Sequence, residues 1–130
     1  MAHLRDMVFD SAHPASAARF WAATLDDYAV APYDEAELAR LRALGFDGPE
    51  DDPTVLLEPV SGRGPRLWFQ LVPEQKRVKN RVHLDVTAAD MEAETLRLTD
   101  LGATVRARHA DHTVLADPEG NEFCLFPLTA

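Results

Sequence analysis

Hydrophobic and polar positions alternate along this chain with two periods, and the periods take turns. Residues 4–10 alternate singly, with Met7 and Phe9 on one side and Asp6, Val8 and Asp10 on the other, the pattern of a strand with one buried face. After the turn Ser11-Ala12-His13-Pro14 the spacing lengthens: Ala17, Phe20, Trp21 and Thr24 or Leu25 recur as on one side of a helix, predicting a helix over 15–25. Proline suits its first turn, where a missing N–H has no partner to lose, and His13 is expected to cap its start. A short strand is predicted over 28–31 and a second helix over 34–44, with an acidic first turn, Leu38 and Leu41 at helical spacing, and Gly45 as its stop. The polar loop 48–53 leads to a strand over 54–59, a Gly/Pro turn over 61–65 and a strand over 66–72. Past a polar connection at 73–79 the order begins again. A strand over 81–86 precedes a helix over 88–101, carrying Met91, Leu96 or Thr95, Leu98 and Leu101 on its apolar side and ended by Gly102. Strands over 103–108, 113–116 and 122–126 follow, the last entered through Asp117-Pro118-Glu119-Gly120-Asn121.

The two halves therefore share an order of elements, and they share spacing. Fifteen residues separate Asp10 from Leu25, and sixteen separate Asp85 from Leu101. Together these predict an α+β fold of two βαβββ modules, about 1–74 and 79–130, within a single domain. Alternation assigns the strand faces. Val82, Leu84 and Val86 are predicted to face the helices, with Arg81, His83 and Asp85 opposite. Phe123 and Leu125 oppose Glu122, Cys124 and Phe126; Phe69 and Leu71 oppose Trp68 and Gln70. Polar side chains thus gather on one side of the sheets, where only a solvated cavity or mutual pairing tolerates them.

Composition narrows the function. At 130 residues the chain can bury a sizeable core, and 46% hydrophobic with 27% charged residues is ordinary for a globular protein. A net charge of −9 argues against a nucleic-acid backbone or an anionic membrane surface as partner. No apolar run approaches the roughly 20 residues that span a bilayer. Cys124 is the only cysteine, so an internal disulfide is excluded. With no signal-peptide pattern at the N-terminus, a cytoplasmic setting is expected. Gly62-x-Gly64 is too short for a phosphate loop, no Gly-x-Ser-x-Gly elbow is present, and His109-x-x-His112 spans a hairpin corner with no third ligand beside it. His3, His109 and His112 are expected to be solvated.

The Asp117-Pro118-Glu119-Gly120-Asn121 turn before a final strand, the Phe20-Trp21 pair, the Leu101-Gly102 helix end and the His83 strand together resemble the vicinal-oxygen-chelate superfamily. That group includes glyoxalase I, bleomycin-resistance proteins and extradiol dioxygenases. Arg66-Leu67-Trp68-Phe69-Gln70 and Lys79-Asn80-Arg81-Val82-His83-Leu84-Asp85 are similar to its actinobacterial glyoxalase-like branch. The resemblance covers nearly the whole chain, with 34–52 as an elaboration. It implies that the two modules curl into a curved mixed-sheet cup with helices outside, and that the cup holds metal and substrate. Ligands in this group come from the first and last strands of each module. His83 stands seven residues before the helix-start Asp90, and Asp6 stands seven before His13. Cys124 falls where a glutamate is usual, and the first module's last strand offers Trp68 or Gln70, of which Gln70 is able to ligate. By position the metal set is Asp6, Gln70, His83 and Cys124. A thiol in place of a carboxylate disfavours a hard divalent ion and removes the usual base for proton abstraction, so glyoxalase I activity is not expected.

The resemblance implies a glyoxalase-like small-molecule-binding protein, a lyase or isomerase-type enzyme or former enzyme without the usual metal centre, in which His83 would be the catalytic group, as a metal ligand or an acid/base. Trp68, Gln70, Arg81, His83 and Cys124 are its expected ligand contacts. The alternative is a non-catalytic protein that sequesters a small compound, as bleomycin-resistance relatives do. The expected cofactor is none or one divalent metal; the expected partner is a small organic molecule, and a homodimer through helices or edge strands is compatible with either reading. Each site residue has a plainer role beside the functional one. His83 can pair with Asp85 or Gln70, Asp6 with Arg66 or Arg81, and Arg81 with Asp6 or Asp85. Cys124 can be a small buried hydrophobe, and Trp68 a cavity wall.

Overall fold

A computed structural model describes residues 1–129. The chain forms two compact units, Met1–Gln75 and Lys76–Ala130. In the first unit β1 (Asp6–Ser11), α1 (Pro14–Thr24), β2 (Tyr28–Val30), α2 (Glu35–Ala43), β3 (Thr54–Pro59) and β4 (Arg66–Leu71) follow in order, with a 3-10 turn at Pro49–Asp51 between α2 and β3. The strands stand in the order β1-β4-β3-β2, with β1 and β4 parallel and the other pairs antiparallel. Helix α1 packs on the sheet through Ala17, Ala18, Phe20 and Trp21, against the alternate positions Val55, Leu57, Leu67 and Phe69, all buried. Burying each large apolar side chain in this layer is worth about 1.5–3 kcal/mol. Phe9 stacks on its register partner Phe69 at 5.2 Å and extends that layer to β1. Pro14 opens α1, but the His13 side chain makes no capping hydrogen bond. Its carbonyl instead accepts from the Ser16 hydroxyl and the Ala17 N–H. The cap on α2 is Asp34, whose carboxylate accepts from the Glu37 N–H.

The second unit repeats the plan: β5 (Leu84–Ala88), α3 (Met91–Asp100), β6 (Thr104–Arg108), β7 (Thr113–Ala116) and β8 (Glu122–Pro127), in strand order β5-β8-β7-β6 with β5 and β8 parallel. Leu98, Leu115, Phe123 and Leu125 are fully buried. Asp90 caps α3 by accepting from the Ala93 N–H. Of the two candidates on α3, Thr95 is buried and Leu96 is 62% exposed. The turn into β8 is built on Asp117, buried, whose Oδ1 accepts from the Glu119 and Asn121 N–H groups at 2.9 Å each. Two four-stranded mixed sheets with three helices make the expected α+β fold of βαβββ modules.

The strand predicted over 81–86 is displaced. It begins at Leu84, and Val82 is 70% exposed instead of facing a helix. The parallel ladder has its first partner pair at Leu84–Phe123, because the residue before Phe123 is already occupied. The Glu122 carboxylate accepts from the Asn80 N–H and its carbonyl from the Asn80 side chain. At the other end Ala88 still pairs with Pro127, so α3 starts after Asp90 and not at 88.

Candidate functional site

The register of the parallel pair β5–β8 places Asp85 opposite Cys124. His83 stands two residues before Asp85, so it leans to the same side although it precedes the strand proper. The His83 Nε2 lies 3.1 Å from Asp85 Oδ1, and both side chains are part-exposed. Ligand atoms of His83, Asp85 and Cys124 all lie within 4.8 Å of one another. Of the pairings open to His83, the one with Asp85 is the one made. A proton on the Nε2 that faces Asp85 leaves the Nδ1 lone pair as the accepting position. Burial pushes the Cys124 thiol up, the Asp85 carboxylate pushes it further, and Lys79 only partly offsets them. Cys124 is thus a protonated, nearly buried thiol, unsuited to nucleophilic attack near neutral pH. Arg81 lies exposed in the bend before β5; Asp85 pairs with His83 and Asp6 with Arg66, so neither carboxylate is left to Arg81.

His109 is exposed, as expected, whereas His112 is half-buried. Their rings stack at 4.6 Å, His112 stacks on Phe126 at 4.9 Å, and its Nδ1 lies 2.7 Å from Asp111 Oδ1. The corner His109–His112 folds back on itself, bringing the rings together.

In the first unit the corresponding strands are β1 and β4. Asp6 and His83 each stand seven residues before the N-cap position of the next helix, His13 and Asp90. Val8, two residues past Asp6, pairs with Trp68, as Asp85 pairs with Cys124. Register therefore makes Trp68 the counterpart of Cys124. Gln70 pairs instead with Asp10, four residues along from Asp6. At roughly 3.3 Å per residue that is about 13 Å, too far for Asp6 and Gln70 to share one ion. Both are also engaged. Asp6 accepts from Arg66 Nε at 2.9 Å and Nη2 at 3.0 Å and from the Trp68 indole N–H at 3.1 Å, while Gln70 donates to Asp10 at 2.9 Å. The Arg66 guanidinium holds the Asp6 carboxyl below the usual range.

The four-ligand centre implied by the resemblance thus does not fit the residues of the first unit. Among the described residues, His83, Asp85 and Cys124 are the one group of His, Cys and acidic side chains arranged for a metal. Their nitrogen, oxygen and sulfur donors suit zinc better than a hard ion.

Trp68 also lines a cavity of about 600 Å³, on the sheet face that carries Thr54 and Leu56 and lies opposite α1. Tyr33, Asp34, Glu37, Arg40 and Asp52 complete its polar wall. The Tyr33 hydroxyl donates to Asp52 Oδ2 at 2.8 Å, and burial, then Asp52, push its pKa well above the ordinary phenol value. These residues escaped the sequence reading. The available signal was helix α2 itself, an elaboration of the module. In the second unit a shallower hollow of about 540 Å³ is ringed by Lys76, Arg77, Lys79 and Arg106, with Glu119 and Glu122 among them.

Comparison with known proteins adds the following. A family profile described as a glyoxalase-like domain matches residues 6–126. No curated protein matches the chain. Among solved structures, a glyoxalase/bleomycin resistance protein/dioxygenase family enzyme from Burkholderia phytofirmans PsJN superposes with a TM-score of 0.67 at 13% identity, covering 98% of this chain and 100% of that one. The fosfomycin resistance protein FosX from Mesorhizobium loti gives 0.66 at 13% identity, over 99% and 94%. A possible glyoxalase from Bacillus cereus gives 0.63 at 13%, over 97% and 99%. At such identities the likeness is one of fold. Among the described residues no helix is long and apolar enough to cross a membrane.

Proposed function

Since the chain belongs to the glyoxalase-like domain family, matched over residues 6–126, we propose that it binds a small organic molecule without the family's four-ligand metal centre. Any turnover is acid–base chemistry at His83. The observation that carries this reading is the fate of the ligand positions: Asp6 is paired with Arg66 and accepts from the Trp68 indole N–H, and Gln70 stands two residues beyond Trp68, the register counterpart of Cys124. What the site keeps is an imidazole oriented by a carboxylate. His83 Nδ1 takes a proton from a carbon next to a carbonyl, and Asp85 stabilises the imidazolium so formed. The same proton returned to a neighbouring carbon gives an isomerase; loss of a leaving group gives a lyase. Cys124 stays a thiol and shapes the floor beside the imidazole. A reducing, cytoplasmic setting keeps it so.

Sequestration without turnover is the second reading, favoured by the aromatic-walled cavity of the first unit, which needs no reactive group to hold a ligand. Metal analysis of untagged protein, beside His83→Ala, tests the premise common to both. Metal well below one ion per chain is expected in each. A near-stoichiometric ion that disappears with His83 would overturn it.

A further inference from the structure

We propose that the cavity of the first unit recognises a small organic cation, an amine or quaternary ammonium on an apolar or aromatic body. This deepens the small-molecule reading and rests on it. The key residue is Asp52, only 4% exposed. Its Oδ2 accepts from the Tyr33 hydroxyl at 2.8 Å and its Oδ1 from the Thr54 N–H at 2.9 Å, both neutral donors. The cation in the same wall, Arg40, is held by Glu37 through Nε at 3.1 Å and Nη2 at 2.6 Å. Asp34 is committed to capping α2. The wall therefore carries three carboxylates against one guanidinium, and its most buried carboxylate has no ion-pair partner among the described residues. The Arg40 charge acts on Asp52 from beyond ion-pair distance, so a ligand cation seated beside this buried carboxylate makes an ion pair that the wall itself does not make. An anion would meet Asp34, Glu37 and Asp52, with its only attractor already doubly bonded.

The apolar part of the wall fits the same ligand class. Trp68 is fixed by its indole N–H to Asp6 and already holds the Arg66 guanidinium 5.6 Å from its ring centroid, and Leu56, Ala31 and Pro32 continue the apolar surface. The indole and the buried carboxylate line the same cavity, so the aromatic body of a ligand can pack on one while its cation pairs with the other.

The test uses the full chain in about 150 mM salt, where the Debye length of about 8 Å suppresses diffuse attraction to a protein of net charge −9. Titration calorimetry compares benzyltrimethylammonium and 2-phenylethylamine with neutral 2-phenylethanol and anionic phenylacetate. The cations are expected to bind at least about tenfold more tightly than either comparator. Asp52→Asn, which keeps the shape and an acceptor for Thr54, is expected to bring the cations within about threefold of 2-phenylethanol. Should that variant fail to fold, Glu37→Gln on the exposed side of α2 releases Arg40 into the cavity and is expected to weaken the cations by about fivefold or more. Phenylacetate binding as tightly as the amines, or all four probes binding alike, overturns the cation site and leaves the small-molecule reading standing. Binding of none at millimolar concentration also overturns it, and the broader reading then rests on the metal and His83 test alone.

Discussion

Asp85→Asn isolates the electrostatics of the β5–β8 pair, because it removes one charge beside Cys124 without removing the side chain. The donor atoms of Asp85 and Cys124 lie within 4.8 Å. At that limit a carboxylate and a thiolate repel by about 0.9 kcal/mol in a fully aqueous dielectric and by about 3.5 kcal/mol at an effective constant of 20. The Asp85 side chain is 57% exposed, so the lower figure governs. Relief of about 0.9 kcal/mol raises the thiolate population about fourfold. The less basic thiolate is also a weaker nucleophile, and a Brønsted slope near 0.5 returns about half of that gain on a logarithmic scale. The net expectation is that Asp85→Asn alkylates with iodoacetamide about twofold faster than the native protein at about pH 7.5. In the native protein Cys124 should react more slowly than in urea, where burial is gone. Mass spectrometry of the single cysteine gives both rates. A variant that melts normally yet reacts no faster would refute the role assigned to Asp85. So would a native thiol faster than an ordinary one. A rate that jumps on adding a chelator would mean a metal-bound thiolate and would count against the metal-free reading.

Three further outcomes follow from the contacts. Arg66 holds Asp6 in its ionised form, a stabilisation fully present above the ordinary Asp range near pH 4 and lost as pH falls through the depressed folded value. The difference in urea midpoint between native protein and Asp6→Asn should therefore be largest near neutrality and shrink in acid; a difference that persists undiminished at about pH 2 would contradict it. Asp117→Ala strands the Glu119 and Asn121 N–H groups in a half-buried turn and should cost about 2 kcal/mol in denaturant unfolding, where an effect within about 0.5 kcal/mol would be a failure. Gly102 has φ +117°, and an added Cβ would stand 3.1 Å from Pro118 Cγ. Gly102→Ala should lower the melting temperature, at a cost of about 1–2 kcal/mol, and an unchanged melt would show that the turn relaxes freely.

Periodicity made the elements and their inner faces readable, because burial on one side of a strand or helix leaves its mark on every second or every third to fourth residue. It could not say where a strand ends. Val82, Leu84 and Val86 continue one alternation, yet pairing starts only where β8 has a free partner, at Phe123. Alternation reports a face; a ladder needs a neighbour. Asp52 was invisible for a related reason. Its hydrogen-bond partner Tyr33 lies nineteen residues earlier, and no local pattern encodes that contact.

The comparison of the two sheets carries the site further than either does alone. Counting from the N-cap positions makes Asp6 the counterpart of His83, and counting across the ladders makes Trp68 the counterpart of Cys124. In the first unit that pair is closed on itself: the carboxylate is bound by a guanidinium and by the indole N–H of its own counterpart. In the second unit the same two positions hold an imidazole and a thiol, with Asp85 beside the imidazole and with burial, then Asp85, raising the thiol. One copy of the repeat has thus turned its ligand positions into a salt-bridged wall for a neighbouring cavity, while the other has kept groups able to move a proton. The four-ligand centre implied by the resemblance needs both copies to supply ligands, whereas the proposed proton transfer needs only the second. The residues at these four positions therefore fit the proposed His83 chemistry better than they fit that four-ligand centre.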